Sequence, residues 1–185
     1  MSTALLIIDV QNSVLEGSAS SERQALVDQA QIAMVYRLRD VMARARDGRM
    51  AVVFVQHNEP PGSPLAANSE GWRIRAEVMP LAGEPVSQKF SCDAFHDTDL
   101  QSLLTAAGAD HLIIAGNATQ YCIDTTCRRA VSLGYDVTLL ADCHMTGDSG
   151  ALTFDQIVAH HNATLNGFSA GRHEIKVIAS PLWQP

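Results

Sequence analysis

Met50-Ala51-Val52-Val53-Phe54-Val55-Gln56 is an almost uninterrupted apolar run, the pattern of a strand covered on both faces. Burial of that kind belongs to parallel sheets with helices on either side. Upstream, Ala4 to Ile8 reads as a first strand ended by Asp9. Between them, Leu26, Ala30, Ala33, Met34, Leu38, Val41, Met42 and Ala45 recur at helical spacing, with Ser20 and Ser21 as helix-start candidates and Gly48 as the stop. Downstream, Pro85 to Gln88 is a weaker third strand, and Thr98 with Gln101 makes a capping box for a helix to about Ala107. His111 to Ala115 is a fourth strand, and Thr119 caps a helix ending at Gly134. Asp136 to Ala141 is a fifth, Thr153 to Asn166 a helix closed by Gly167, and Glu174 to Ala179 a final strand. This alternation predicts one α/β domain over residues 1–185, a three-layer α/β/α sandwich around a mainly parallel six-stranded sheet.

One segment breaks the rhythm. Residues 57–84 carry Pro60, Pro61, Pro64 and Pro80, with Pro85 at the edge, and only a short possible helix around Trp72 to Val78. A connection this long is expected to be a lid, a binding loop or a surface excursion.

The 185 residues hold 13 Lys and Arg against 20 Asp and Glu, a net charge of −7. That balance argues against a general nucleic-acid binder, which needs clustered cations to displace counterions. No apolar run approaches the roughly 18 residues of a membrane span, and Met1 to Asp9 lacks the basic start of a signal peptide. A soluble cytoplasmic protein with a small-molecule partner is expected, with neither nucleic acid nor membrane as partner. The four cysteines, Cys92, Cys122, Cys127 and Cys143, include no C-x-x-C pair, so free thiols are expected rather than bridges or a zinc site.

In an open parallel sheet, ligands bind beyond the carboxyl ends of the strands. Asp9 after the first strand, Lys89 after the third and Cys122 in the turn after the fourth all fall there. Each alone has an ordinary explanation as a turn residue, a surface cation or a core thiol; their joint placement points to chemistry. Cys122 follows Gly116-Asn117-Ala118-Thr119-Gln120-Tyr121 into the first turn of a helix, where unpaired N–H groups favour thiolate and lower a thiol pKa. Ile123, Cys127, Ala130 and Val131 share a helical face, so Cys127 reads as core, and Cys92 and Cys143 read as packing. A thiol nucleophile needs a proton acceptor. Among the seven histidines, only His57 and His144 stand near strand ends; Asp9 held anionic by Lys89 is the alternative relay.

Leu5-Leu6-Ile7-Ile8-Asp9-Val10-Gln11-Asn12, Lys89 with Asp93-Ala94-Phe95, and Gly116-Asn117-Ala118-Thr119-Gln120-Tyr121-Cys122-Ile123-Asp124-Thr125-Thr126 resemble the three signature segments of the isochorismatase-like cysteine hydrolases. The likeness runs from about residue 4 to residue 167, in order and spacing. It implies a Rossmann-like sheet, a catalytic triad of Asp9, Lys89 and Cys122, and a cis peptide between Asn117 and Ala118 that aims the N–H groups of Ala118 and Cys122 into an oxyanion hole. It also implies acyl transfer through a thioester and a homo-oligomer, a dimer or higher.

Two branches of that family differ. Its nicotinamidases carry an Asp and two or more His metal ligands after the second strand, where this chain has Val55-Gln56-His57-Asn58-Glu59-Pro60 with a single His. One histidine is too few for a stable zinc site, so neither metal nor cofactor is expected. Its true isochorismatases cleave a vinyl ether and need no cysteine nucleophile, so Cys122 tilts the expectation toward C–N hydrolysis of a small amide or carbamoyl compound. Vinyl ether hydrolysis and a non-catalytic thiol-sensing protein are the alternatives, whereas a dinucleotide site fails because no Gly-x-Gly-x-x-Gly follows the first strand. Gln11, Asn12, Asn58, Trp72 and Tyr121 are the expected substrate contacts.

Overall fold

A computed structural model describes residues 2–14, 16 and 19–185. Its elements run β1 (Ser2–Ile8), α1 (Gln24–Asp47), β2 (Ala51–His57), β3 (Val86–Lys89), α2 (Leu100–Ala106), β4 (Ala109–Asn117), α3 (Asp124–Ser132), β5 (Asp136–Met145), α4 (Phe154–Leu165), β6 (Ser169–Ala170) and β7 (His173–Ile178). A π turn, Thr119–Ile123, joins β4 to α3. The sheet order is β3-β2-β1-β4-β5-β7-β6. Every pairing is parallel except that of β6 with β7.

The sheet has seven strands where the sequence pattern shows six. The additional one, β6, is two residues long and turns back onto β7 through Gly171 at φ 62°. Two residues are too few to display an alternating pattern.

Alternation along the strands sorts the core into two layers. Ala4, Leu6, Ile8, Val53, Val55, Leu112 and Ile114 pack with α2, α3 and the end of α4. Leu5, Ile7, Val52, Phe54, Ile113 and Ala115 pack with α1, whose stripe Met34, Leu38, Val41, Met42 and Ala45 is buried. Each large apolar side chain so buried contributes about 1.5–3 kcal/mol, and the two stripes together fix the register of the sheet.

Some local expectations shift. The first helix begins at Gln24, because the Ser20 carbonyl takes the N–H groups of Arg23 and Gln24 in a preceding turn. Thr98 and Thr153 each stand three residues before a glutamine, yet only Thr153 with Gln156 forms the reciprocal capping box. Thr98 instead donates to the Ala94 carbonyl at 2.7 Å, and α2 starts after Asp99.

The long segment after β2 contains a single 3-10 turn, Ala76–Val78, within the stretch Trp72 to Val78 where a short helix is possible. It is strapped to the end of β1: the N–H groups of Asn12, Ser13 and Arg75 bond to Arg73, Gly71 and Val10 respectively. Arg46 of α1 closes its far end on both carboxylate oxygens of Glu84, at 2.8 and 2.7 Å.

Candidate active site

The chain order changes direction between β1 and β4, since β2 and β3 lie on one side of β1 and β4, β5, β7 on the other. A crevice opens at such a switch point, beyond the carboxyl ends of the strands. Asp9 ends β1, Lys89 ends β3, and the π turn after β4 carries Cys122.

These three side chains meet. Lys89 Nζ lies 2.6 Å from Asp9 Oδ2 and 3.1 Å from Cys122 Sγ. The same ammonium donates to the Ser91 carbonyl at 2.9 Å and stands 3.2 Å from His57 Nδ1. Four acceptors therefore surround three protons. Asp9 and Lys89 are wholly buried and Cys122 is 9 % exposed, so the thiol is the member that reaches the surface. Beyond the Lys89 ion pair, the Asp9 oxygens have no well-formed hydrogen bond among the described residues.

Backbone geometry sets this arrangement. Asp9 has φ 53°, in the left-handed region, which Asp tolerates better than most residues and which clusters at functional sites. Gly116 has φ 128°, and a Cβ there would stand 2.0 Å from the Ile8 carbonyl oxygen, so only glycine lets β4 pass the end of β1. The Asn117–Ala118 peptide is cis. The Ala118 carbonyl accepts from the N–H groups of Tyr121 and Ile123, at 3.1 and 3.2 Å.

Burial pushes the Cys122 thiol up, Asp9 pushes it further, and Lys89 opposes both. This reverses the direction expected from the helix N-terminus alone: desolvation and an adjacent carboxylate outweigh the helix dipole, and the resting sulfur keeps its proton. Burial likewise raises the Asp9 carboxyl, against the pull of Lys89 and Cys122. Burial works to lower the Lys89 ammonium, but Asp9 and Cys122 overcome it and hold its pKa above the ordinary value. His57 is lowered by burial and by Lys89. Its Nδ1 faces the ammonium as an acceptor, which leaves the proton on Nε2, 3.9 Å from Glu59 Oε1.

The expected substrate contacts divide. Tyr121, beside the thiol, is exposed. Gln11, Asn12, Asn58 and Trp72 gather instead around the end of β2 and the long segment, where internal bonds hold them. Gln11 Nε2 donates to the His57 and Trp72 carbonyls, at 2.9 and 2.8 Å, and Gln11 Oε1 accepts from the His57 N–H at 2.9 Å. Asn58 donates to Gln88 Oε1 at 2.7 Å and accepts from the Trp72 indole at 2.6 Å. Asn12 donates to Glu70. A cavity of about 630 Å³ is lined by Asn12 and Trp72 together with Gln56, Ile74 and Met79, without Asp9, Lys89 or Cys122. Gln56 continues the Phe54 face of β2 and His57 the Val55 face, so that cavity and the thiol lie on opposite sides of the sheet. The amides of Gln11 and Asn58 and the Trp72 indole are thus engaged within the fold.

Of the other thiols, Cys127 and Cys143 are buried and Cys92 is exposed, which corrects its reading as a packing residue; all four are free. His57 and Ser91 join the cluster, although the sequence marked His57 only as a possible base. Among the described residues, no three His, Cys, Asp or Glu side chains are grouped to hold a metal ion.

A parallel α/β sheet carrying a Cys–Lys–Asp cluster at its switch point defines a class of strand-end active sites. The chain belongs to the isochorismatase family: residues 3–166 match the Isochorismatase domain. It is 36% identical to a streptothricin hydrolase of Streptomyces noursei over 145 residues, 78% of this chain and 50% of that protein. The chain thus spans about half the length of that relative. It is 25% identical over 195 residues to the ureidoacrylate amidohydrolase RutB of Variovorax paradoxus, covering 90% of this chain and 77% of that one. A solved isochorismatase family protein superposes with a TM-score of 0.78 at 30% identity, covering 96% of this chain and 98% of its own.

Proposed function

We propose that the protein is a metal-independent hydrolase of non-peptide C–N bonds in a small amide or carbamoyl compound, with Cys122 as nucleophile. The observation that carries this reading is the position of Lys89, in contact with both Asp9 and Cys122. Starting from a thiol and a carboxylate, transfer of the Cys122 proton to Asp9 moves the negative charge from oxygen to sulfur. At an effective dielectric of about 20, the attraction of Lys89 for charge at the two distances differs by only about 1 kcal/mol. The ammonium therefore supports either ionisation state, and a thiol that rests protonated can be ionised at the moment of attack.

In this reading the Cys122 thiolate adds to the substrate carbonyl carbon. The oxyanion is held by the N–H groups of Ala118 and Cys122; in support, the Ala118 carbonyl is taken by Tyr121 and Ile123, leaving the Cys122 N–H between them outside those bonds. Asp9 returns the proton to the departing nitrogen, the C–N bond breaks, and a thioester or thiocarbamate remains on sulfur. Asp9 then removes a proton from water, the hydroxide attacks the acyl carbon, and the C–S bond breaks. The proton passes from Asp9 to the sulfur, restoring the resting site. Tyr121 forms the rim. Streptothricin hydrolase and ureidoacrylate amidohydrolase, the named relatives, both support hydrolysis of amide-type bonds. Among the described residues no helix is long and apolar enough to cross a membrane.

The test is ammonia or amine release over a panel of small amides, ureas and carbamoyl compounds, with isochorismate cleavage in parallel. Release that survives chelators and is absent in Cys122→Ala is the expected result. Cleavage of isochorismate alone, undiminished in Cys122→Ala, would replace this reading with vinyl ether hydrolysis.

A further inference from the structure

Behind the Cys122-bearing turn lies a buried polar chain outside the Cys–Lys–Asp cluster. His144 Nδ1 is 2.9 Å from Thr119 Oγ1, and His144 Nε2 is 2.8 Å from Asn162 Oδ1. Asn162 Nδ2 donates to the Ala141 carbonyl at 3.0 Å. That donation fixes the amide with its oxygen toward the imidazole, so Nε2 carries the proton and Nδ1 is bare. Thr119 must then be the donor to His144, and every polar atom along the chain has its partner. Thr119 was expected to cap a helix; its hydroxyl is committed to His144 instead, and no side-chain cap forms.

His144 owes its place to an irregularity in the sheet. Between the pairs Ile114–Leu139 and Gly116–His144, β4 advances two residues while β5 advances five. An odd number of extra residues exchanges the faces of a strand. Without them Ala141 would stand beside Gly116; with them the imidazole stands there, on the face that carries Cys122. The bulge is pinned from the other side. Asp142 accepts from the Ser180 N–H and hydroxyl at 2.7 and 2.9 Å, and its carbonyl accepts from Arg37 of α1 at 2.8 Å.

We infer that His144 and Asn162 are positioning residues, which hold the Cys122-bearing turn in register with Lys89 through the Thr119 hydroxyl. Thr119 opens the π turn and Cys122 follows three residues later, so displacement of the first carries the second. A bulge held from both sides, an imidazole with one defined tautomer and a helix amide converge on that single hydroxyl. Burial lowers His144 to about 4, so the chain keeps its hydrogen-bond sense throughout the neutral range.

This inference rests on Cys122 being the nucleophile, and the experiment separates the two. The rate of Cys122 alkylation by iodoacetamide is measured against pH by intact mass in a Cys92→Ser background, which removes the exposed thiol and needs no substrate, alongside kcat, KM and the melting temperature. Thr119→Val and Asn162→Ala are each expected to move the pH midpoint of alkylation and to lower kcat about tenfold or more with KM within about twofold. Thr119→Ser, which keeps the hydroxyl, is expected to behave as wild type. Asn162 is half-buried on α4, so its variant remains available where Thr119→Val fails to fold. Variants that are merely less stable, with the wild-type alkylation midpoint and kcat at a temperature where they are folded, would overturn the inference. A shifted midpoint in a protein whose Cys122→Ala variant retains hydrolysis would uphold the positioning and reject the nucleophile.

Discussion

Lys89 meets Asp9 at 2.6 Å with both side chains out of water, a buried ion pair beside the Cys122 thiol. Such a pair adds little net stability, but removing one member leaves an uncompensated charge, which costs about 3–5 kcal/mol. Lys89→Met is therefore expected to lower the melting temperature by roughly 10 °C and to abolish turnover. The double variant Asp9→Asn with Lys89→Met is expected to recover a good part of that loss. Equal melting temperatures for the single and double variants in calorimetry would show that the pair is not coupled.

In the proposed cycle Asp9 carries the proton in both half-reactions, so Asp9→Asn is expected to fold and to lower kcat by about 10²–10⁴. Rates measured by ammonia release, with circular dichroism to confirm the fold, check this. Activity within a few-fold of wild type would pass the proton role to another group, with His57 the next in reach.

Gly116→Ala is expected to prevent folding, because the new Cβ would meet the Ile8 carbonyl oxygen at 2.0 Å. Gly62→Ala is the control. Gly62 also has positive φ, 97°, but nothing lies within 4 Å of its Cβ position, so only backbone strain of about 1–2 kcal/mol applies. Soluble yield and melting temperature distinguish them; two equally mild variants would contradict the close approach of β4 to β1.

The buried histidines contribute to the acid side of the stability profile, above the range in which Glu77, Glu84 and Asp148, also lowered in the fold, take up protons. His57, His111 and His144 are all lowered by burial from their ordinary 6.5, His144 to about 4. Below about pH 6.5 the unfolded chain takes up protons that the folded chain refuses, so this stability is present above 6.5 and is lost as pH falls toward 4. For His144 alone the displacement corresponds to about 3 kcal/mol. Asp9, raised in the fold, acts in the opposite sense. Denaturant unfolding between pH 7 and pH 4 is expected to show falling stability, with a shallower slope in His144→Gln. An unchanged slope in that variant would contradict the neutral, buried imidazole.

The sequence was most legible where strands end. Asp9 and Cys122 follow apolar runs and Lys89 closes the weaker strand Val86–Lys89, and a parallel sheet has one edge at which such ends converge. Less legible was which way a side chain points just past that edge. Gln56 and His57 are neighbours in sequence on opposite faces of β2, so the cavity lined by Asn12 and Trp72 lies across the sheet from the thiol. Thr98 and Thr153 show the same limit at helix starts: identical spacing to glutamine, opposite outcomes, with Thr98 accepting from the Leu100 N–H in place of a reciprocal bond with Gln101. The bulge that brings His144 beside Gly116 is not legible as a strand, since the apolar run of β5 stops at Ala141 and Asp142 and His144 follow it. The direction of the Cys122 pKa depended on burial and on the contact with Asp9, and neither is a property of the local sequence.

The proposed covalent intermediate on Cys122 is tested most directly by partition to hydroxylamine during turnover of whichever amide or carbamoyl compound the panel identifies. An acyl group on sulfur divides between water and the added nucleophile, so hydroxamate, or hydroxyurea from a carbamoyl group, is expected to rise with hydroxylamine concentration at the expense of the normal product. It is expected to vanish with Cys122→Ala. Exclusive formation of the hydrolysis product at every hydroxylamine concentration would mean that water attacks the substrate directly, and that Cys122 is not its nucleophile.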